Sequence, residues 1–335
     1  MSENNDVKDE SASQQLRDVK PVHHHHHHHH HRQRKIRRIF WWTLGILLFF
    51  TVFFAFVAWH NLSVTTNNMY NSAGVMKQRD ANKVLAQKRP VSILLLGTDT
   101  GALGRNYKGR TDTMMILILN PQKKKATIVS IPRDMRVNLP GYPDESPAKI
   151  NSAYTYGGIK ESVKVVHQYF KIPIDYYVMV NMGGLEKAID QVGGVDVTSP
   201  LTFTYDGASF TKGKTYHLNG SKALKFSRMR HEDPDGDYGR QQRQQLIVMA
   251  LLKKSASYKT VLNRKFLNSI ADSSQTDLTF KNMITLARHY RVTAQNVVRD
   301  HAQGKGEEYD DEAYEVVSDT ERNRVATLLQ NSLKN

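Results

Sequence analysis

Three runs of apolar residues lie in the middle of the chain, separated by polar segments that contain glycine or lysine. The runs cover residues 91–96, 113–119 and 126–131, and Gly97 ends the first of them. Short apolar runs that are rich in branched residues and bounded by turn residues are typical of buried strands. The pattern therefore predicts neighbouring strands of one buried sheet.

Apolar residues at helical spacing follow these strands. Ile159, Val163, Val166 and Phe170 recur every three or four positions, which predicts a helix over residues 159–170. The other predicted elements are a strand at 176–181, a helix at 184–192, a long helix from Tyr238, two helices between 261 and 290, two strands between 291 and 317, and a last helix at 319–333. Strands that alternate with helices predict an α/β fold.

A long apolar segment precedes the predicted domain. Residues 39–59 contain no charge, and a helix of that length spans about 31 Å, the thickness of a bilayer core. Five basic residues lie just before it at 32–38, and the first charge after it is Lys77. We therefore predict one transmembrane helix at 39–59, with the N-terminus in the cytoplasm and the C-terminal domain outside the cell membrane.

The regions that flank this helix are polar. Residues 1–38 form a predicted cytoplasmic tail with nine histidines at 23–31, which are either an expression tag or a natural low-complexity tract. Residues 60–90 are predicted to form an extracellular stalk, which leaves residues 91–335 as the main folded domain. No natural role in the chemistry is assigned to the histidines.

The net charge of +15 lies mostly outside the N-terminal tail. Residues 1–38 hold 8 basic and 5 acidic residues, so the remaining chain holds 39 and 27, a net charge of +12. This excess predicts an anionic partner, namely a nucleic acid, a lipid headgroup or an anionic polymer. The chain contains no cysteine, which excludes disulfides, thiol nucleophiles and cysteine-ligated metals.

Two carboxylates and an arginine lie in the segment between the first two predicted strands. Asp99 and Asp112 offer the oxygen ligands that Mg²⁺ prefers, and Arg110 could meet a metal-bound phosphate. The alternative is a surface loop in which the carboxylates serve as turn or cap residues.

The chain resembles the LytR-CpsA-Psr family of cell-wall glycopolymer ligases. The segments that carry the resemblance occur in the family's order: LLLGTDT, GRTDTMMIL, SIPRDMRV, KINSAYTYGG, the GGV at 193–195, ALKFSRMR and DYGRQQRQQ. They span residues 91–245, and a single membrane anchor before an external domain also fits the family. The histidine tract is not a family feature.

The resemblance implies a three-layer α/β/α domain with a central mixed sheet and an apolar pocket for a prenyl chain. It also implies a phosphotransferase that moves a wall teichoic acid, capsular or related polysaccharide from undecaprenyl pyrophosphate to a hydroxyl of peptidoglycan. Undecaprenyl phosphate would be the second product of the reaction. The partners expected are thus the lipid-linked glycopolymer, peptidoglycan and the membrane, and not nucleic acid.

The resemblance also assigns residues. Asp99 and Asp112 would hold Mg²⁺, for which Mn²⁺ should substitute because it accepts the same oxygen ligands. The residues expected around the pyrophosphate are Arg110, Arg133, Arg228, Arg230, Arg240 and Gln244. Metal and guanidinium charges would stabilise the charge that builds on the phosphate oxygens.

The proton acceptor for the attacking hydroxyl is left open between Asp134 and Asp237, and His231 is a third candidate. Either aspartate could instead orient an arginine. Arg228 and Arg230 are predicted to lie on one face of an extended segment, because side chains two residues apart in a strand point the same way.

Other functions remain as alternatives. The basic residues also fit a DNA-binding regulator, although topology alone explains the cluster at 32–38 and the domain is predicted to lie outside the membrane. A non-catalytic polymer- or lipid-binding protein is the second alternative. The third is a pyrophosphatase in which water replaces the hydroxyl, and we expect this as a side activity.

Overall fold

The computed structural model describes residues 48–53, 55–57, 59–61, 63–64, 69–72, 74, 77–98, 109–255 and 263–335. The chain divides into two compact units, Met1–Val57 and Ala58–Asn335. In the first unit the described residues are helical, and apolar side chains such as Phe49 and Phe53 are exposed. Among the described residues no helix combines the length and the apolar character needed to cross a membrane. Most of the predicted span at 39–59 lies outside those residues.

The second unit contains strands and helices in alternation. The strands are β1 (Val91–Thr98), β2 (Thr111–Asn120), β3 (Lys125–Ile131), β4 (Arg136–Val137), β5 (Ala148–Lys149), β6 (Tyr176–Asn181), β7 (Val195–Thr198), β8 (Phe203–Tyr205), β9 (Ala208–Phe210), β10 (Thr215–Leu218), β11 (Ser274–Thr276), β12 (Asn296–His301), β13 (Lys305–Tyr309) and β14 (Glu312–Val316). The helices are α1 (Ala81–Ala86), α2 (Ser152–Phe170), α3 (Met182–Gln191), α4 (Gly220–Arg228), α5 (Gly236–Ser255), α6 (Arg264–Ala271), α7 (Phe280–His289) and α8 (Asp319–Leu333). Pro143–Glu145 and Arg291–Gln295 form short 3₁₀ helices.

A six-stranded mixed sheet forms the centre of this unit, in the order β11-β6-β1-β2-β3-β12. β1 runs antiparallel to β2 and parallel to β6, and β12 runs parallel to β3. The apolar runs that predicted buried strands are β1, β2 and β3, the central strands. The predicted α/β fold with a central mixed sheet is thereby confirmed.

Helices cover both faces of the sheet. On one face Leu94 and Ile116 belong to a core that includes Val166 of α2 and Leu329 of α8. On the other face Ile93 and its neighbours pack with apolar residues of α1, α5 and α7. Successive side chains of a strand point to opposite faces, so a strand buried on both faces reads as a continuous apolar run.

Residues 291–317 contain three strands, where the sequence predicted two. β12 joins the central sheet, and only β13 and β14 form a hairpin. The turn of that hairpin lies at Asp310 and Asp311, which both have positive φ, and not at Gly304. Aspartate tolerates this left-handed backbone better than most residues, so a turn without glycine was missed.

The predicted stalk is in part a component of this unit. Leu85 of α1 is buried in the core beside the sheet. Arg79 donates from Nε to Oδ1 of Asp175 at 2.7 Å, and Nζ of Lys77 lies 2.8 Å from Oδ2 of Asp277. These contacts join residues 77–86 to the start of β6 and to the segment after β11, so the compact unit begins before Val91.

We predict that Asp175→Ala destabilises the domain by about 3 kcal/mol. The Asp175 side chain is buried and accepts hydrogen bonds from Arg79 and from the backbone N–H and hydroxyl of Ser92. Its removal leaves Nε of Arg79 and the backbone N–H of Ser92 without an acceptor. Thermal unfolding of the purified chain measures the loss.

The matched control is Asp196→Ala, which removes an exposed aspartate that pairs with His217 and Lys254. Exposed pairs contribute little to stability, so this variant should unfold close to the wild type. An equal loss of stability in both variants would contradict the role given to Asp175.

Candidate active site

The predicted site lies where β1 ends and β2 begins. Asp112 is the second residue of β2, at a shift in the register of the two strands. Gly97 pairs with Thr113 and Thr98 pairs with Thr111, so Asp112 is the extra residue of a β-bulge. Bulges reorient side chains and are common beside active sites. The other predicted metal ligand, Asp99, lies outside the described residues.

Arg133 follows β3 and binds Asp112. Its Nη1 donates to Oδ1 of Asp112 at 2.6 Å, and its Nε lies 3.5 Å from Oδ2 of Asp134. Burial lowers the pKa of Arg133, but the hydrogen bond to Asp112 and the neighbouring negative charges outweigh this, so its pKa is raised. Nε is buried and makes no hydrogen bond within the described part of the chain. Arg133 therefore keeps an unused donor.

Arg240 reaches the same place from α5. Its Nη2 lies 2.8 Å from Oδ1 of Asp237 and 3.4 Å from the carbonyl oxygen of Asp112. Burial lowers the pKa of Arg240, and the positive charges of Arg133 and Arg230 act in the same direction. Its Nε, too, is buried and forms no hydrogen bond to a residue that the structure describes. The positive charges of these guanidiniums repel one another, and each guanidinium has a donor without an acceptor. Both features favour the binding of an anion such as a phosphate.

Both predicted proton acceptors contact cations. Besides Arg240, Asp237 lies 3.5 Å from Nε of Arg230 and accepts a hydrogen bond from Gln241 at 3.0 Å. Asp134 lies 3.8 Å from Nζ of Lys149. These contacts agree with the alternative in which each aspartate orients a cation. The third candidate, His231, is exposed, and the identity of the base stays a prediction.

Arg228 and Arg230 do not share an extended segment, so that prediction is wrong. Asn219 caps α4 by accepting a hydrogen bond from the N–H of Lys222, and the helix continues to Arg228. Only then does the backbone become extended, with φ −53° and ψ 135° at Met229. The structure brings Arg230 to Asp237, whereas Arg228 forms no ion pair with any described residue.

Arg110 is exposed and lies next to the first turn of α2, where the hydroxyl of Thr155 donates to the carbonyl oxygen of Gly109 at 3.2 Å. Arg110 thus borders the site on the side of the sheet that α2 covers. Its contact with a pyrophosphate stays a prediction.

An apolar cavity of about 360 Å³ adjoins the arginines on the other side of the sheet. It lies between the sheet and helices α5 and α7, and its apolar lining includes Leu95, Met115, Val178, Val248, Leu252 and Leu286. Gln244, one helical turn after Arg240, lines it together with Gly97 and Thr113. Thr113 follows Asp112 in β2, so the lining of the cavity ends one residue from Asp112 and one helical turn from Arg240.

Arg243 is a site component that the sequence reading missed. Its side chain is fully buried, and it donates to the carbonyl oxygens of Phe226 and Met229 and to Asp233. A Cβ at Gly239 would lie 2.1 Å from Oδ2 of Asp233, so this position of α5 admits only glycine. The sequence contained one sign of its burial. Arg243 lies four residues before the apolar Ile247, so both lie on the same face of the helix.

The described residues offer limited ligands for a divalent metal. They contain no group of three acidic or histidine side chains that could hold one. Asp112 supplies one carboxylate, of which one oxygen accepts a hydrogen bond from Arg133. Mg²⁺ commonly uses one or two carboxylates together with substrate phosphates and water, so Asp112 fits such a site when a phosphorylated substrate completes it.

Comparison with known proteins extends this picture. The sequence profile of the LytR_cpsA_psr family matches residues 56–331. A protein of Enterococcus faecalis (strain ATCC 700802 / V583) named polyisoprenyl-teichoic acid–peptidoglycan teichoic acid transferase TagU is 40% identical over 274 residues. The match covers 82% of this chain and 89% of that protein.

Solved structures have the same fold. The crystal structure of Bacillus subtilis TagU is similar with a TM-score of 0.59 at 32% identity, covering 74% of this chain and 98% of that one. A structure of TagT bound to LI-WTA gives a TM-score of 0.61 at 28% identity, covering 77% and 94%. Because the family profile and the TagU relative each match most of its length, the chain belongs to the LytR_cpsA_psr family.

Proposed function

We propose that this chain is a phosphotransferase that moves an anionic glycopolymer from undecaprenyl pyrophosphate to a hydroxyl of peptidoglycan. Family membership and the names of its relatives support this reaction, and those names favour a teichoic acid as the glycopolymer. A capsular or related polysaccharide is the alternative within the same chemistry.

The observation that carries the proposal is an apolar cavity whose lining includes Thr113, the neighbour of Asp112, and Gln244, one helical turn from Arg240. A prenyl pyrophosphate has a long apolar tail and a strongly anionic head. The cavity fits the tail, and the unused Nε donors of Arg133 and Arg240 fit the head. Gln244 lines the end of the cavity where the two parts of the substrate would join.

The transfer forms one P–O bond and breaks another. The acceptor oxygen attacks the phosphorus that carries the glycopolymer, and the bond from this phosphorus to the prenyl phosphate breaks. The products are a phosphodiester and undecaprenyl phosphate. The hydroxyl proton passes to Asp134 or Asp237, which remain the two candidates.

The chain's own residues act by orientation and charge. Asp112 and Asp237 hold Arg133 and Arg240 in fixed positions, so these guanidiniums need not reorganise as negative charge develops on the phosphate oxygens. Arg230 contributes through the same Asp237. A Mg²⁺ ion held by Asp112 and Asp99 would supply further positive charge. Water in place of the acceptor would give the pyrophosphatase side activity.

We further propose that the chain is anchored in the cell membrane by residues 39–59 and that the domain lies outside. The charge-free segment and the preceding basic cluster support this topology. A lipid-linked donor and a wall acceptor are accessible to a domain in that location.

The first prediction concerns Arg240. We expect Arg240→Lys to lower the rate of transfer by about 2–4 kcal/mol in the barrier, by analogy with loss of one transition-state donor. Lysine keeps the charge but lacks the planar fork that meets Asp237 and a phosphate together. Single-turnover transfer from a lipid-linked donor measures the effect.

Arg299→Lys is the control, because Arg299 is an exposed arginine of β12. Arg230→Lys should fall between the two, since the side chain of Arg230 is more exposed than that of Arg240. Normal transfer by both Arg240→Lys and Arg240→Ala, with normal thermal stability, would remove Arg240 from the catalytic residues, whereas no transfer by the wild type would favour a non-catalytic binding protein.

The second prediction concerns the metal. Transfer should cease in excess chelator and return with Mg²⁺ or Mn²⁺, because both accept oxygen ligands. Asp99→Asn should raise the Mg²⁺ concentration needed for half-maximal transfer. Asp144→Asn, which changes an exposed aspartate, should not raise it. Full transfer in chelator would rule out the metal.

The third prediction concerns topology. Protease added to intact protoplasts should digest residues 60–335 and spare the N-terminal tail, because the basic cluster at 32–38 retains the tail in the cytoplasm. Immunoblotting against each end of the chain reads the result. Protection of the C-terminal domain from the protease would place the domain in the cytoplasm. That result would favour the DNA-binding regulator over the transferase.

A further inference from the structure

Four tyrosines form a patch beside the active site, and none has a role in the chemistry above. The patch consists of Tyr142, Tyr156, Tyr309 and Tyr314. The rings of Tyr142 and Tyr156 are 5.7 Å apart, and those of Tyr309 and Tyr314 are 6.1 Å apart. Tyr156 and Tyr309 are 39% and 37% exposed, so their rings are available to a ligand.

Short contacts join this tyrosine patch to the catalytic residues. The hairpin that carries Tyr309 and Tyr314 is bound to the site through the N–H of Glu315, which donates to the carbonyl oxygen of Asp134 at 2.8 Å. Lys149 bridges the same elements, with Nζ 3.2 Å from Glu312 and 3.8 Å from Asp134.

Tyr156 approaches the site from the first turn of α2, next to Thr155, which binds the carbonyl oxygen of Gly109. A hydrogen bond to Glu145 raises the pKa of Tyr156, and the charges of Arg110 and Glu312 also act on it. Tyr156 therefore lies one residue from the contact with Gly109, and Lys149, three residues before α2, pairs with Glu312 of the β13–β14 hairpin at 3.2 Å.

The patch also has the polar groups that a sugar requires. The hydroxyl of Tyr314 donates to Glu312 at 2.8 Å, and that of Tyr309 binds Glu307, so carboxylates hold the rings in place. The guanidinium carbon of Arg136 lies 4.4 Å from the centre of the Tyr309 ring. Nε of Arg136 is buried, with no hydrogen-bond partner among the described residues. Arg136 thus adds a positive charge beside the two rings, next to the carboxylates of Glu307 and Glu312.

The geometry of phosphoryl transfer indicates which ligand the tyrosine patch would bind. The attacking and leaving oxygens lie roughly in line through phosphorus. The apolar cavity lies on the sheet face covered by α5 and α7, so the prenyl phosphate leaves on that side. Tyr142 packs against the core on the opposite face, which α2 covers. An acceptor hydroxyl in line with that leaving group comes from the side away from the cavity, the side on which Tyr142 lies.

We propose that the tyrosine patch binds the glycan strand of the acceptor, with sugar rings stacked on Tyr156 and Tyr309 and hydroxyls bound by Glu145, Glu312 and Arg136. This inference rests on the proposed function and identifies its acceptor subsite. Exposed tyrosine rings present flat apolar faces to the C–H faces of a sugar, and the surrounding carboxylates accept from its hydroxyls.

The test uses the full chain and a soluble tetrasaccharide of alternating N-acetylglucosamine and N-acetylmuramic acid. Calorimetry measures its affinity for the protein, and transfer kinetics give separate KM values for tetrasaccharide and lipid-linked donor. For Tyr309→Ala we expect affinity for the tetrasaccharide to fall about fivefold and its KM to rise equally, since ring contacts contribute about 1 kcal/mol. The KM for the donor should stay within about twofold.

Two variants serve as controls. Tyr309→Phe keeps the ring and should retain affinity for the tetrasaccharide. Tyr205→Ala removes a tyrosine that is 37% exposed, as Tyr309 is, but lies at the tip of the β8–β9 hairpin. It should behave as the wild type does. Thermal unfolding of each variant confirms that the hairpin is intact.

The outcomes separate this inference from the proposed function. Unchanged affinity and KM in Tyr309→Ala and Tyr156→Ala, with normal transfer by the wild type, would overturn the acceptor subsite alone. A rise in the KM for the donor instead would assign the patch to the donor's glycopolymer and likewise overturn it. Absence of any transfer by the wild-type chain would overturn the proposed function itself.

Discussion

The buried guanidinium of Arg243 is the interaction on which the site's arrangement depends. A charge removed from water is tolerated only when its donors are satisfied, and those of Arg243 are satisfied by Phe226, Met229 and Asp233. These acceptors lie at the end of α4 and in the turn that follows, whereas Arg243 lies on α5. The one side chain thus fixes two helices relative to each other, and with them Arg230 and Arg240.

A second constraint is the alternation of charge around this framework. Arg133, Arg230 and Arg240 would repel one another if they were brought together alone, and Asp112 and Asp237 lie between them. The carboxylate of Asp237 is shared by Arg230 and Arg240, whereas Asp112 offers its carboxylate to Arg133 and its carbonyl oxygen to Arg240, so two carboxylates face three guanidiniums. The site therefore holds its shape without substrate and still presents donors to an anion, which is the pre-organisation that electrostatic catalysis requires.

The sequence revealed those parts of the structure that local patterns determine. Apolar runs identified β1 to β3 because strands buried on both faces read as continuous apolar segments. Arg228 was misassigned because the helix that contains it has only nine residues, Gly220–Arg228, and the cap at Asn219 was not weighed. Arg243 was missed because its acceptors lie ten to seventeen residues away in the chain. The Asp112–Arg133 pair joins different strands, so family motifs named its members but could not give its geometry.

The β-bulge at Asp112 separates two parts of the chain that would otherwise be coupled. Between the pair Gly97–Thr113 and the pair Val91–Leu119, each residue of β1 pairs with one residue of β2. Shifting that ladder by one position would turn every buried side chain toward the wrong face. Because the extra residue lies at the end of the ladder, where Thr98 pairs with Thr111, Asp112 can face Arg133 without shifting the pairs between Gly97 and Val91. The register that keeps the core buried and the direction of the carboxylate in the site are therefore set by different residues, so a substitution at Asp112 can change the site and leave the ladder in register.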